Sequence, residues 1–194
     1  MINNKKETIL KICFIGGESV FKTTVSKRLA THFNTSYVEE YARIYFKDRD
    51  FNLNPFVNND FINVCKGQLE LEQQLMVDNH TQNLLMCDTC PLATLVWSDT
   101  LIGSHDPLVE QYIDYSYYHL YLLLDCNGVK WVDDGELRLI EDSNERIDFQ
   151  ARLEQQLKKR SIPYHIVKGD LEQREKTSIN IINELISKTR LNNQ

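Results

Sequence analysis

The chain has 194 residues, 42% hydrophobic and 26% charged, a composition typical of a folded globular protein and inconsistent with extended disorder. Its formal net charge of −6 at pH 7 argues against binding along a nucleic acid backbone, because that contact needs a positive field. The longest apolar run, residues 120–124, is too short to span a bilayer, and the N-terminus lacks the apolar core of a secretory signal. We therefore expect a cytoplasmic protein that binds a small molecule, with no nucleic acid or membrane partner; the sequence gives no signal for an oligomeric state.

The length of the chain fits one α/β domain. We predict a single domain over residues 9–190, preceded by a flexible N-terminus at 1–8 and followed by a tail at 191–194. The five cysteines are odd in number, and several lie in apolar runs where a reduced thiol behaves as a small hydrophobic group. They indicate a reducing compartment.

Short apolar runs alternate with helical patterns along the chain. Five runs are predicted to be buried strands, at residues 9–15, 36–39, 84–87, 120–125 and 164–168. Apolar residues at helical spacing predict helices over residues 23–33, 60–78 and 148–159. This alternation predicts a doubly wound α/β domain, with a mainly parallel five-stranded sheet, helices on both faces, and ligands at the carboxyl ends of the strands. The polar segment 127–146 is predicted to be a lid.

The sequence GGESVFKTT, residues 16–24, follows the first predicted strand and leads into the first predicted helix. Gly16, Lys22 and Thr23 fit the pattern of a phosphate loop, whose backbone N–H groups surround an anion. Lys22 would neutralise the outer phosphates, and the Thr23 hydroxyl would bind Mg²⁺. The alternative is an ordinary strand-to-helix turn with an exposed lysine. The predicted ATP-binding set is Gly16, Gly17, Glu18, Ser19, Val20, Phe21, Lys22, Thr23 and Thr24.

Phe21 occupies the position at which the phosphate-loop pattern has its second glycine. If the backbone needs a positive φ there, an aromatic residue costs about 1–3 kcal/mol of local strain. If φ is negative, the cost is small and the ring points away from the phosphates. The sequence leaves both conformations open.

Five segments, in order, resemble the ribosylnicotinamide kinase domain of the bacterial NadR family. They are GGESVFKTT, VEEYARIYF, MCDTCPLATLVW, KWVDDGELR and IPYHIVKGD, and the resemblance runs from about residue 10 to about residue 185. It implies a P-loop kinase fold and the ATP- and Mg²⁺-dependent phosphorylation of nicotinamide riboside to nicotinamide mononucleotide. Nothing before Ile9 could encode the adenylyltransferase or DNA-binding domain of family regulators, so we expect a stand-alone kinase domain.

Residues Glu40 to Arg43 match a Glu-Tyr-Gly/Ala-Arg segment that lies beside the substrate hydroxyl in this family. The resemblance implies that Glu40 orients the attacking hydroxyl and that Arg43 stabilises charge on the moving phosphoryl group, two requirements of phosphoryl transfer. Taken without the resemblance, the segment would be a solvated first helical turn with an i,i+3 ion pair. Asp88 ends the third predicted strand, where P-loop proteins place the acid that holds Mg²⁺.

Cys90 is a departure from the family, which commonly reads Asp-Thr-Asp where this chain has Asp88, Thr89 and Cys90. Together with Cys87 it forms a Cys-x-x-Cys pair, which in other proteins belongs to zinc sites or redox centres. The sequence has no second Cys-x-x-Cys or His pair to complete a zinc site, and it lacks a thioredoxin-like context. Metal or redox use of these thiols is therefore disfavoured.

The segment KWVDDGELR resembles the family's Trp-Val-x-Asp-Gly-x-Arg segment at the start of a lid. Trp131, Asp134 and Gly135 match it, whereas Arg138 stands one place later than usual. The resemblance implies that a lid arginine, Arg138 or Arg146, reaches the transferring phosphate. Each arginine alone could equally belong to a solvated charged loop.

The pyridinium ring of nicotinamide riboside can be held on an aromatic face by cation–π attraction, worth about 0.5–2 kcal/mol. Tyr41, Tyr45 and Trp131 are candidates by position, although such aromatics more often serve packing. Asp60 and Gln68, on the long helix before the third strand, are further candidates. The predicted substrate-binding set is Glu40, Tyr41, Tyr45, Asp60, Gln68, Asp88 and Trp131.

The alternative to a kinase is a nucleotide-binding module that no longer catalyses and acts as a sensor or partner-binding protein. Phe21 and Cys90 support this alternative, because both depart from the family inside chemical motifs. The retention of the other chemical residues favours the kinase; they are Lys22, Thr23, Glu40, Arg43 and Asp88.

Overall fold

A computed structural model describes residues 9–78, 81, 83–132 and 138–192 of the chain. The predicted N-terminus at 1–8 and the lid positions Asp134 and Gly135 lie outside the described residues. The strands are β1 (Leu10–Ile15), β2 (Ser36–Val38), β3 (Leu84–Asp88), β4 (Leu120–Leu124) and β5 (Tyr164–Val167). The helices are α1 (Lys22–His32), α2 (Tyr41–Tyr45), α3 (Asn58–Met76), α4 (Pro91–Ile102), α5 (Pro107–Tyr115), α6 (Ser143–Lys159) and α7 (Leu171–Asn192).

The five strands form one parallel sheet in the order β2-β3-β1-β4-β5. Strand β1 is fully buried, and alternate side chains enter two separate cores, as the two faces of a pleated strand require. Cys13 and Ile15 belong to the core beneath α3, α4 and α6, whereas Ile12 and Phe14 belong to the core beneath α1 and α7. The predicted doubly wound α/β fold, with helices on both faces, is confirmed.

The ends of β1 and β3 determine where a ligand can bind. Cys13 is aligned with Cys87 and Phe14 with Asp88, so the loops that follow the two strands begin side by side. This edge carries the carboxyl ends of all five parallel strands, where ligands of open α/β sheets bind. Among the described helices, none is both long enough and apolar enough to cross a membrane.

Helix α6 begins inside the segment predicted as a lid. The side chain of Asp142 accepts hydrogen bonds from the amides of Asn144 at 2.8 Å and Glu145 at 3.0 Å, which is the usual capping arrangement at a helix N-terminus. Helix α6 therefore starts at Ser143, five residues before the predicted start at residue 148.

Candidate active site

The loop between β1 and α1 begins with a close approach to β4. A Cβ atom on Gly16 would lie 2.8 Å from the carbonyl oxygen of Leu124 and 2.9 Å from Cγ2 of Val20, and its φ is +152°. Only glycine fits this position. Lys22, the first residue of α1, donates a hydrogen bond from Nζ to the carbonyl oxygen of Gly17 at 2.7 Å. The lysine ammonium group is therefore held over the loop.

Phe21 adopts the left-handed conformation, with φ at 67° and ψ at 18°. An aromatic residue in this region carries local strain of about 1–3 kcal/mol, so the structure selects the costly one of the two conformations that the sequence allows. Phe21 is 36% exposed, and the centroid of its ring lies 5.9 Å from Cζ of Arg174 in the first turn of α7. The ring is therefore directed toward α7.

Asp88 is fully buried at the end of β3. Its Oδ2 atom accepts hydrogen bonds from Oγ1 of Thr23 at 2.6 Å and from the hydroxyl of Tyr37 at 3.1 Å. Its Oδ1 atom is buried and has no hydrogen-bond partner within the described part of the chain. Burial, and then the nearby charge of Glu40, raise the pKa of Asp88 above its ordinary value, while Lys22 and the two hydroxyl donors act in the opposite direction.

This donor set fits a Mg²⁺ ion. Magnesium is usually held in phosphoryl-transfer sites by one or two protein oxygens together with phosphates and water. Here a buried carboxylate oxygen of Asp88 is available, and the Thr23 hydroxyl lies beside it. A cation at this point would also offset the cost of the buried negative charge.

Glu40 precedes α2, and Arg43 lies one turn into it. The i,i+3 ion pair that the sequence allows is present, with Nε of Arg43 3.2 Å from Oε2 of Glu40. The side chain of Arg43 is only 21% exposed, and that of Glu40 only 16%. The pair is therefore not a solvated surface contact, and both residues line the cleft described next.

A central cleft of about 650 Å³, including its open mouth, lies beside the phosphate loop. Its lining is partly charged and partly aromatic and aliphatic. The charged lining residues are Glu18, Lys22, Glu40, Arg43 and Arg138. The apolar lining residues are Ala42, Phe46, Phe56, Phe61, Val64, Trp97, Leu101 and Leu139, and the hydroxyl residues Thr89 and Thr94 also line the cleft.

The aromatic wall of the central cleft, Phe46, Phe56, Phe61 and Trp97, is absent from the sequence-based predictions. The rings of Phe46 and Phe56 meet edge to face with centroids 5.2 Å apart, and those of Phe56 and Phe61 are stacked at 5.9 Å. Phenylalanine recurs every five residues, at 46, 51, 56 and 61. That spacing matches neither the period of a helix nor that of a strand. The recurrence is therefore visible in the sequence but does not predict a structure.

The predicted substrate residues on α2 and α3 hold these two helices together. The ring of Tyr41 packs where a side chain on Gly67 would otherwise lie, and the Tyr41 amide donates to Oε1 of Gln68 at 2.9 Å. The hydroxyl of Tyr45 donates to Oδ1 of Asp60 at 3.2 Å. That carboxylate oxygen also accepts from Arg49 at 2.7 Å, and the pairing holds the pKa of Asp60 below its ordinary value despite burial. Their contact with a substrate stays a prediction.

The two candidate arginines of the predicted lid lie in different environments. Arg146 is 4% exposed and donates hydrogen bonds to the carbonyl oxygens of Val129 and Glu18, each at 3.1 Å. Arg138 lines the central cleft. Of the two, Arg138 is thus the one beside Lys22 and Arg43.

The thiols of Cys87 and Cys90 lie in the protein core, and both residues are fully buried. Burial raises the pKa of Cys87 well above its ordinary value, so the thiol stays protonated and unreactive. All five cysteines are free. Within the described residues, no group of three or more His, Cys, Asp or Glu side chains is arranged to hold a metal ion.

Together, the parallel sheet, the glycine-containing loop that opens α1, and the lysine, threonine and aspartate around that loop define a P-loop domain of the kinase type. A family model described as an AAA domain matches residues 11–174. The chain belongs to this family.

Comparison with known proteins confirms the predicted resemblance to NadR. The trifunctional NAD biosynthesis/regulator protein NadR of Salmonella typhimurium is 27% identical over 177 residues, which is 90% of this chain and 42% of the relative. A crystal structure of NadR in complex with NR matches with a TM-score of 0.77 and 24% identity, over 91% of this chain and 51% of that chain. A second NadR structure, in complex with NAD and AMP-PNP, matches with a TM-score of 0.73 and 22% identity, over 91% of this chain and 49% of that chain. The chain thus spans less than half the length of the curated relative.

Proposed function

We propose that the protein transfers the γ-phosphoryl group of ATP to the hydroxyl of a nucleoside, and that the nucleoside is nicotinamide riboside. One observation carries this proposal: a single cleft connects Lys22 of the phosphate loop with the Glu40–Arg43 pair and with an aromatic wall. A cleft lined by these three groups suits a donor phosphate, an attacking hydroxyl and a planar base. The resemblance to NadR, one structure of which contains NR and another AMP-PNP, supports the same assignment.

The donor end of the cleft is proposed to bind ATP through the amides of residues 16–24, with Lys22 near the outer phosphates. Thr23 and Asp88 would hold Mg²⁺. When bound, the ion would neutralise charge on the β- and γ-phosphates. Lys22 already points over the loop, so little reorganisation of its side chain is needed.

The acceptor end supplies the groups that the transfer needs. A bond forms between the substrate hydroxyl oxygen and the γ-phosphorus while the bond between that phosphorus and the β,γ-bridging oxygen breaks. Glu40 orients the hydroxyl and accepts its proton. Arg43 and Arg138, both at the cleft, stabilise the negative charge on the phosphoryl oxygens. The ion pair between Glu40 and Arg43 holds the carboxylate in place.

The aromatic wall supports a nucleoside with a flat, positively charged base. A pyridinium ring gains cation–π attraction on such faces, about 0.5–2 kcal/mol, in addition to the burial of its apolar area. Trp97 gives the strongest attraction of the lining residues, since the indole face is the best cation–π partner. The edge-to-face packing of Phe46 on Phe56 fixes the orientation of these two rings.

The direct test is ADP production from ATP with nicotinamide riboside, uridine, adenosine or no nucleoside. We expect turnover that depends on nicotinamide riboside. Turnover with uridine or adenosine instead would retain the kinase and overturn the substrate. Tight ATP binding without turnover on any nucleoside would support the non-catalytic module, for which the strained backbone of Phe21 is the supporting observation.

A further inference from the structure

The carboxylate of Glu18 binds a segment of the chain far from it in sequence. The amide of Leu139 donates to Oε1 at 2.7 Å, the amide of Ile140 donates to Oε2 at 3.1 Å, and Nε1 of Trp131 donates to Oε2 at 3.4 Å. Glu18 is 5% exposed. A buried carboxylate is tolerated only when donors compensate its charge, and the segment after β4 provides three.

Anion binding does not explain a glutamate in the phosphate loop. The amides of such a loop attract phosphate, whereas a neighbouring carboxylate repels it. The three hydrogen bonds do explain Glu18, because they fix the segment after β4 against the loop.

Adjacent contacts hold the same segment. The hydroxyl of Ser19 accepts a hydrogen bond from the amide of Val132 at 3.0 Å and donates to its carbonyl oxygen at 3.2 Å. Nε of Arg138 donates to that same carbonyl at 3.3 Å. Arg146 donates to the backbone carbonyl of Glu18 at 3.1 Å. Glu18 and Ser19 therefore contact residues 131–132 and 139–140, which lie on either side of Arg138 in the sequence.

We propose that Glu18 is a positioning residue for the nucleoside, an inference that rests on the proposed function. Leu139, whose amide it binds, lines the central cleft together with Arg138. By fixing the backbone at residues 139 and 140, Glu18 sets the position of the cleft wall at Leu139 and the direction from which Arg138 approaches. A displacement of reacting groups by about 1 Å is enough to reduce transfer strongly. Glu18 thus acts on the acceptor side, although it belongs to the donor loop.

The test compares Glu18→Ala and Glu18→Gln with the wild-type protein in steady-state kinetics with nicotinamide riboside and ATP. We expect Glu18→Ala to raise KM for the nucleoside by about tenfold and to lower kcat, with KM for ATP changed by less than about threefold. The kinetic constants of Glu18→Gln should lie between those of the wild-type protein and Glu18→Ala, because the one carbonyl oxygen of glutamine retains part of the amide binding. Hydrogen exchange at the amides of Leu139 and Ile140 should be slow in the wild-type protein and faster in each variant.

A matched control is Asp142→Ala, which removes an exposed acidic cap at the start of α6 without touching the cleft. It should lower stability but leave KM for the nucleoside unchanged. The proposal is overturned if Asp142→Ala reproduces the rise in KM, if both KM values rise equally in Glu18→Ala, or if exchange at residues 139 and 140 is unaffected. Should Glu18→Ala fail to fold, Glu18→Gln gives the same readouts. If no nucleoside is phosphorylated, the proposed function fails separately, and nucleoside binding by calorimetry together with amide exchange still decides the role of Glu18.

Discussion

Oγ1 of Thr23 lies 2.6 Å from Oδ2 of Asp88, which joins the first turn of α1 to the carboxyl end of β3. The contact arises because β1 and β3 are aligned neighbours in the sheet, with Phe14 opposite Asp88. The other oxygen of Asp88 is buried without a hydrogen-bond partner among the described residues. A fold does not gain stability from such a group, which supports the proposal that Asp88 holds a cation.

Asp88→Asn should therefore stabilise the protein and stop phosphoryl transfer. The raised pKa of Asp88 means that the folded state favours the protonated carboxyl, so the stability contributed by this group is present below pH 3.8 and is lost as pH rises through the raised pKa. At pH 7 the variant should melt at a higher temperature than the wild-type protein. The difference should shrink as pH falls toward 3.8.

The control for this prediction is Asp99→Asn, because Asp99 pairs with His105 at the partly exposed surface of α4. It should neither raise the melting temperature nor reduce turnover. A wild-type protein more stable than Asp88→Asn at pH 7 would show that the buried carboxylate is compensated within the fold.

Phe21→Gly and Phe21→Ala separate the effect of the ring from that of the backbone. Both remove the ring, but only glycine adopts φ of 67° without strain. Phe21→Gly should be more stable than Phe21→Ala by about 1 kcal/mol in denaturant unfolding. Affinity for ATP, measured by calorimetry, should be kept or improved in Phe21→Gly. Loss of ATP binding in both variants would instead assign the ring to the nucleotide site.

Gly67→Ala should be destabilising, although alanine normally stabilises a helix interior by about 1 kcal/mol relative to glycine. A Cβ atom at this position would overlap the ring of Tyr41, and the resulting overpacking costs about 1–3 kcal/mol. In a Tyr41→Ala background the same substitution should become stabilising. Thermal unfolding of the wild-type protein, the two single variants and the double variant gives the sign of the stability change that Gly67→Ala causes in each background. The same sign in both backgrounds would mean that the packing of Tyr41 does not depend on Gly67.

Trp97→Leu tests whether the aromatic wall holds a charged base. We expect KM for nicotinamide riboside to rise about tenfold, KM for ATP to change by less than about twofold, and Trp97→Phe to retain most of the affinity. The reduced, uncharged dihydronicotinamide riboside provides the comparison. Trp97→Leu should weaken binding of this uncharged form less than binding of the charged form. Equal weakening of the two would assign Trp97 to packing against Phe149.

Most of the sheet and the phosphate loop were predictable because their signals are local. The runs at 84–87 and 120–125 are apolar on both faces, as buried parallel strands must be, and the structure has strands at Leu84–Asp88 and Leu120–Leu124. Helix α4 was not predicted since its first eight residues are almost entirely buried, so it shows no alternation of apolar and polar faces. A helix buried all round has no period to detect.

The cleft was only partly predictable because it depends on contacts between distant residues. Glu18 and Leu139 are separated by 121 positions, and nothing in GGESVFKTT indicates that its glutamate binds backbone amides. The choice between Arg138 and Arg146 likewise depends on burial, which the charged sequence around them does not reveal. Gly67 looks unfavourable in a helix until the ring of Tyr41 is placed against it.

The most direct test of the proposed kinase activity is transfer of a labelled γ-phosphate from ATP to nicotinamide riboside, with the product identified by mass spectrometry. The wild-type protein and Lys66→Ala, which removes an exposed lysine of α3 paired with Glu70, should both form labelled nicotinamide mononucleotide. Lys22→Ala should form none while melting at a similar temperature, because Lys22 supplies the charge over the phosphate loop. Labelled product from Lys22→Ala at the wild-type rate would show that Lys22 is not needed for transfer, and no product from a folded wild-type protein that binds ATP would show that the protein is not this kinase.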